Sequence, residues 1–395
     1  MLKPTPFHPR TAALCQSHAW RRWAGYVVAS CYELSHEREY HAIRSAAVLL
    51  DVSPLYKYLV RGRDAARLLD RVVTHDVARL QVGQVLYTPW CDARGKVLDD
   101  GTIARLGETT FRLTSAEPNL RWLQDNAHGF EATIDDASAA TAALALQGPN
   151  ATVILQQLCD RDLAGLKYFR LTAAQLRGIP VTISRTGYAG DLGYEVWLDA
   201  ADALPLWDAF IEAGTPYGLA PAGILALDVA RIEAGLILID VDYVPANRTL
   251  IESQTSSPYE LDLAWTVKLE KEHFVGKAAL AAEARRGPEW QFVGIQVEWD
   301  SFERLFAEVG LAPRVPTVAW RTSVPLYVGG EQVGYATSGV WSPLLKAYIA
   351  LAHVQSSRAT PGTSLEMEVT VEHRRKRAAA RVVKKPFFDP ERKRA

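Results

Sequence analysis

The texture of the chain changes after Lys277, and that change limits the folds open to it. Before this point helical periodicity and strand-like alternation are mixed. Beyond it, strand-like pieces at residues 293–297, 324–327, 333–335 and 347–352 are separated by Gly, Pro and Ser, the pattern of a small β-rich unit. A join at residues 285–288 divides the chain into residues 1–285 and a β-domain of about 110 residues at 286–395. In the first part, residues 35–47 read as a helix that Ser35 can cap. Residues 56–61 alternate as a strand ending at Gly62, and residues 64–73 form an amphipathic helix. Strand and turn signals fill residues 172–198, and helical ones residues 203–214. A second strong helix over residues 223–234 stops at Gly235. The expected architecture is a mixed α+β body followed by a small barrel.

Charge and composition exclude several function classes. Lys and Arg number 44 against 45 Asp and Glu, a formal net charge of −1, which provides no field to favour nucleic acid or an anionic membrane. Neither is expected as a partner. No run approaches the roughly 18–20 apolar residues that span a bilayer, and the first ten residues carry no apolar secretory stretch. Cys15, Cys31, Cys91 and Cys159 form no CxxC pair, and such sparse use fits a reducing, cytoplasmic location. His36 and His41 bracket HEREYH, one residue longer than a zincin motif. Five residues apart they sit about 140° apart on a helix and cannot share a metal as i, i+4 histidines do. No metal site is expected.

Two constellations can carry chemistry. In residues 87–103, YTPWCDARGKVLDDGTI, two strands meet at an Asp/Gly turn and the second bears Asp99 and Asp100. Alternation sends these carboxylates to opposite faces. Leu98, Asp100, Thr102, Ala104 and Leu106 form the more apolar one, so Asp100 is expected on a half-buried surface. A carboxylate there needs partners or a raised pKa, which makes it a functional candidate; the bland alternative is a strand end near a turn. In residues 185–198, RTGYAGDLGYEVWL, glycines 187, 190 and 193 allow a tight loop that brings backbone close to a ligand. Glu195 and Trp197 share a strand face there. A carboxylate beside an aromatic can hold a flat heterocycle by accepting from ring N–H and amino groups, or it can be a surface glutamate on a hairpin. The basic carboxyl terminus, with Arg374–Arg377 and Arg392–Arg394, is either a solvated face or a local anion-binding surface.

Taken in order, these segments resemble the glycine-cleavage T-protein (aminomethyltransferase) family over nearly the whole chain. The resemblance runs from Thr5-Pro6-Phe7 through Tyr40-His41-Ala42-Ile43-Arg44 and Asp51-Val52-Ser53 to the hairpin of residues 87–100. It continues with Ala145-Leu146-Gln147-Gly148-Pro149, Arg185-Thr186-Gly187-Tyr188, Gly193-Tyr194-Glu195, Arg231-Ile232-Glu233-Ala234-Gly235 and Phe274-Val275-Gly276-Lys277. Thr337-Ser338-Gly339 and Ile349-Ala350-Leu351-Ala352 carry it into the β-domain. It implies an α+β, three-domain cloverleaf around tetrahydrofolate, with two interleaved domains in residues 1–285 and a carboxyl-terminal β-barrel. It also implies that Asp100 approaches the folate amines that receive the one-carbon unit and that Glu195 holds the pterin. Tyr87 and Tyr188 would line the same cavity, and Arg392 in the basic tail would attract the glutamate chains of cellular folates.

Departures from the family cluster on the side of the one-carbon donor. The family's Ala-Arg-Asp on the second helix is Ala226-Leu227-Asp228 here, so a ligand-contacting arginine is Leu227. Arg231, one turn on, could restore the charge. The family's Asp-Val-Ser-His-Met reads Asp51-Val52-Ser53-Pro54-Leu55, followed by Tyr56 and Tyr58 as candidate aromatic surface. An asparagine on the strand after the paired acids is replaced around Thr114-Ser115. These changes point to a demethylase moving a methyl group from a small-molecule donor to tetrahydrofolate. The alternatives are a true T-protein served by a lipoyl carrier protein, and a folate-binding protein without turnover.

Overall fold

A computed structural model describes residues 2–395. The chain lays down strand Ala47–Asp51, leaves to build a complete second sheet, and returns at Thr141–Gln147 to finish the first. That second sheet has five antiparallel strands in the order Val85–Cys91, Val97–Gly107, Thr110–Ser115, Tyr56–Arg61 and Thr133–Asp136. The first has six, in the order Leu171–Leu176, Ile179–Ser184, Gly193–Asp199, Thr141–Gln147, Ala47–Asp51 and Leu219–Pro221. Only its last pair is parallel. Ala47 to Leu50 are all buried because the sheet is covered on both faces, and a continuous apolar run rather than an alternating one suits that place.

The helix Ile224–Glu233 lies at the centre of the molecule, and every residue from Ala226 to Glu233 is buried. Its charges are therefore all paired. Glu233 accepts from the Tyr40 hydroxyl at 2.5 Å, from Arg44 Nη2 at 2.7 Å and from Ser342 Oγ at 2.5 Å. Leaving such a carboxylate unpartnered would cost several kcal/mol, roughly 3–5. Gly223 precedes the helix where a Cβ would lie 2.4 Å from the Ser30 carbonyl oxygen, and its N–H donates to Glu39 Oε2 at 2.7 Å. Gly235, in the left-handed region at φ 66°, ends the helix as the sequence predicts.

The carboxyl-terminal strands close into a six-stranded barrel in the order Trp290–Val297, Ala347–Gln355, Glu331–Ser342, Val324–Val328, Ser364–Val371 and Arg374–Val383. Two helices here escape the sequence reading, Lys277–Arg286 before the barrel and Trp299–Ala307 after its first strand. The second is short, but Phe302 and Phe306, one turn apart with ring centroids 5.0 Å from each other, seat it on the barrel core. The early helix begins at Glu37 rather than Ser35, and the Ser35 hydroxyl accepts from the Glu37 N–H at 3.2 Å from just outside it. Among the described residues no helix is long and apolar enough to cross a membrane.

Candidate active site

Antiparallel pairing sets Pro89 opposite Asp100 and Tyr87 opposite Thr102, so the Tyr87 side chain falls diagonally beside the Asp100 carboxylate. Its hydroxyl donates to Asp100 Oδ2 at 2.7 Å, and the Tyr243 hydroxyl donates to Oδ1 at 2.5 Å. Burial pushes the Asp100 carboxyl up, and the two phenol hydrogen bonds oppose that rise. Both tyrosine hydroxyls are raised, by burial first and then by the neighbouring carboxylate. The ring of Trp265, 56% exposed, stacks over Tyr87 with centroids 6.1 Å apart.

Asp100 is half-buried as expected, but the more deeply buried face of this strand is that of Asp99, not the one richer in apolar residues. Val97, Asp99 and Ile103 have no exposed surface, whereas Asp100 keeps some. Asp99 tolerates this because Asn119 Nδ2 donates to it at 2.7 Å, the Glu117 N–H at 3.1 Å and the Asp100 N–H at 2.8 Å. Its carboxyl is pushed well up by burial and then by Asp100. Alternation could not show this, because the cap comes from the loop after the next strand.

Glu195 ends a chain of donors. Trp197 Nε1 donates to Ser184 Oγ at 3.3 Å, the Ser184 and Thr186 hydroxyls lie 2.8 Å apart, and Thr186 Oγ1 donates to Glu195 Oε2 at 2.5 Å. Burial raises the Glu195 carboxyl, while Thr186 and then Arg112 pull it down. Like Tyr87, Asp100 and Tyr188, Glu195 is half-buried. The three glycines of its loop also approach protein closely. A Cβ at Gly187 or Gly193 would fall 2.1 or 2.2 Å from Gln147 Oε1, and one at Gly190 2.3 Å from Ala234 Cβ.

Other candidates are placed less directly. Tyr188 donates to the Ile237 carbonyl. Arg231 is fully buried and already balanced: its Nε donates to Asp228 Oδ1 at 2.9 Å and its Nη1 to Asp242. It therefore supplies no free charge in place of the missing arginine, which corrects that expectation. Leu227 lines a small cavity with Trp23, Leu50 and Val52, and Asp51, Thr11 and Tyr32 contribute polar groups to it. Tyr56 and Tyr58 stack at 6.4 Å, but Tyr58 is wholly buried in the core under the five-stranded sheet, and only Tyr56 keeps exposed surface. Arg392 forms two hydrogen bonds with Asp191, at 2.7 and 2.8 Å, so its fork is occupied by protein. Several other tail cations behave likewise: Lys376 pairs with Glu308, Arg381 with Glu298 and Arg394 with Asp389.

The match to known proteins runs the length of the chain. Residues 7–271 match the GCVT N-terminal domain, and residues 308–389 the glycine cleavage T-protein C-terminal barrel domain. The chain belongs to the glycine cleavage T-protein family. It is 34% identical over 381 residues to an aminomethyltransferase of Halothermothrix orenii, covering 95% of this chain and 96% of that one. It is 38% identical over 361 residues to one of Streptomyces avermitilis, covering 89% of each. A crystal structure of the glycine cleavage system aminomethyltransferase T from Bartonella henselae superimposes with a TM-score of 0.83 at 26% identity, covering 98% of this chain and 99% of that chain. As a T-protein family member the chain is an enzyme, a transferase. These relatives are named for aminomethyl transfer, which favours the T-protein alternative over the demethylase expectation.

Tyr243, Thr186, Trp265 and Arg112 are residues of this region that the sequence reading did not single out. Arg112 left a signal, a charge within an apolar strand, but alternation reads such a residue as facing solvent. Tyr243 and Trp265 come from irregular segments without periodicity.

Proposed function

We propose that this chain transfers a one-carbon unit to tetrahydrofolate in the cytosol, taking it as an aminomethyl group from a lipoyl carrier protein. The observation that carries the reading is the Asp100 carboxylate held between two phenol hydroxyls, with a second half-buried carboxylate, Glu195, bound by a single hydroxyl. The donor set fits a pterin. Glu195 spends Oε2 on Thr186, and Oε1 remains to accept from the ring N–H and amino group. Bound tetrahydrofolate would supply the amine nitrogens that accept the carbon. Each Asp100 oxygen takes one hydroxyl hydrogen bond and keeps a lone pair, so the carboxylate can orient an accepting amine, remove its proton and stabilise positive charge nearby. Tyr87 and Tyr243 fix that carboxylate in place, and Trp265 stacks on the Tyr87 ring.

One observation favours methyl transfer instead. Where the family carries an arginine, Leu227 stands beside Trp23, and Arg231 is neutralised by two aspartates. Loss of that fixed positive charge suits a methyl group on a small neutral or cationic molecule. The deciding assay supplies tetrahydrofolate with either an aminomethylated lipoyl carrier or a panel of methylated amines, methoxyaromatics and methylsulfonium compounds. Turnover with the carrier, producing methylene-bearing folate, is expected. Methyl-bearing folate from a panel compound, with the carrier unused, would replace this reading by the demethylase one. Failure to use any donor would leave only folate binding.

A further inference from the structure

Arg112 projects from the five-stranded sheet onto the indole of Trp197 in the six-stranded sheet, with its guanidinium carbon 3.9 Å from the ring centroid. Only 6% of the residue is exposed. Among the described residues its side chain donates no hydrogen bond and has no carboxylate within ion-pair distance, and its buried Nε has no partner. By contrast Arg44 and Arg231, similarly buried, are each paired with two carboxylates, although Arg231 keeps one unpartnered Nη2. Two residues along the same strand face, the buried hydroxyl of Thr114 is also unpartnered. A buried guanidinium without an acceptor is unfavourable, so this one is suited to an acceptor that arrives with a ligand.

We infer that Arg112 is a recognition residue for the pterin, donating to the ring's 4-carbonyl oxygen while the adjacent Glu195 accepts from the 2-amino group and N3–H. This rests on the folate reading above and deepens it. The edge of a pterin presents two donors and then an acceptor in sequence. Glu195 supplies the complement of the first two, and a guanidinium beside it the complement of the third. Trp197 holds the guanidinium plane by cation–π contact, so its orientation does not depend on the ligand. Burial also lowers the Arg112 pKa, to about 10, with Glu195 opposing the fall. The group is thus still charged at neutral pH.

The test compares wild-type protein with Arg112→Met in calorimetric titrations of two ligands. One is tetrahydrofolate; the other is its reduced analogue with an amino group in place of the 4-carbonyl. The variant should bind tetrahydrofolate about tenfold more weakly or worse, yet bind the 4-amino analogue no more weakly than wild type. Without ligand, its melting temperature should equal or exceed that of wild type, because an unpaired buried charge has been removed. Equal losses for both ligands, or no loss for either, would overturn the assignment. Should Arg112→Met not fold, Arg112→Gln takes its place. Failure of both to fold would make the guanidinium a structural group and end the proposal. Wild-type protein that binds neither ligand would instead remove the folate reading on which it stands.

Discussion

At Asp100 burial and hydrogen bonding act against each other, and the balance leaves a carboxylate held by two hydroxyls rather than by a cation. Replacing it by asparagine keeps the shape and removes the charge. Asp100→Asn should lower turnover by roughly 10²–10⁴ while tetrahydrofolate affinity, read by calorimetry, changes little. Near-native turnover would leave Asp100 a structural role only. Lys57 shows the opposite case, a buried cation that is a cost. Its Nζ is enclosed and donates to the Ser53 carbonyl at 2.5 Å, and burial lowers its pKa from 10.5 to about 8. A depressed folded-state value means the unfolded chain binds more protons between about pH 8 and 10.5, so wild-type stability rises through that window. Lys57→Met lacks this term. It should be more stable than wild type at pH 7, by about 3 kcal/mol at most, and the gap should shrink by pH 10 in denaturant melts. A constant gap would contradict the burial argument.

Among the elements, the Ile224–Glu233 helix shows how a buried segment with three charges is tolerated. Asp228, Arg231 and Glu233 each meet partners from elsewhere: Arg321 binds Asp228 at 2.7 Å, and Asp242, the partner of Arg231, accepts from Thr337 and Ser338 of the barrel. The helix is thereby tied to both halves of the molecule by directional bonds as well as by packing. Its start depends on close backbone approach at Gly223. Gly223→Ala would drive a methyl into the Ser30 carbonyl and the Cys31 Cα, at 2.4 and 2.8 Å, and backbone cannot swing away as a side-chain end can. Chemical denaturation should show a loss of roughly 1–3 kcal/mol. A neutral substitution would mean that the helix start can shift without cost.

Across the whole molecule, the carboxyl terminus closes the structure back onto its first part. Arg392 grips Asp191, which also meets Arg44 at 3.4 Å, and Arg185 reaches the Ala395 and Arg392 carbonyl oxygens. Since Arg392 is 39% exposed on its side chain, solvent screening limits the value of this contact, and Arg392→Ala should cost only about 1 kcal/mol. The clearer consequence is local: limited proteolysis should trim the tail of the variant while leaving wild type intact. Equal trimming would mean that Phe388, packed under the Arg44 guanidinium at 4.6 Å, holds the tail unaided. Because Arg392 and most other tail cations already have protein partners, folates with one or many glutamates should bind with similar affinity at low salt, contrary to the attraction expected of Arg392. A large, salt-sensitive preference for long chains would show that these pairs open.

What the sequence by itself determined are the features carried by local rules. Period-2 and period-3.6 patterns located the Tyr56–Arg61 strand, the hairpin at Asp92–Gly95, the Ala203–Gly214 and Ile224–Glu233 helices and most barrel strands, because neighbours along the chain set which face is apolar. The ordered motifs were enough to indicate the family. Tertiary structure alone decided which polar group lies against which. Asp99 is buried more deeply than Asp100 because Asn119 reaches back to cap it, and Tyr243 meets Asp100 from 143 residues away. Arg231 is neutral in effect because the loop after its helix folds back to bring Asp242 against it. Arg112 reads as a surface charge in its own strand, yet a second sheet packs over it. Electrostatic partnership in the interior falls off over a few ångströms of space and takes no account of distance along the chain, so no local pattern records it.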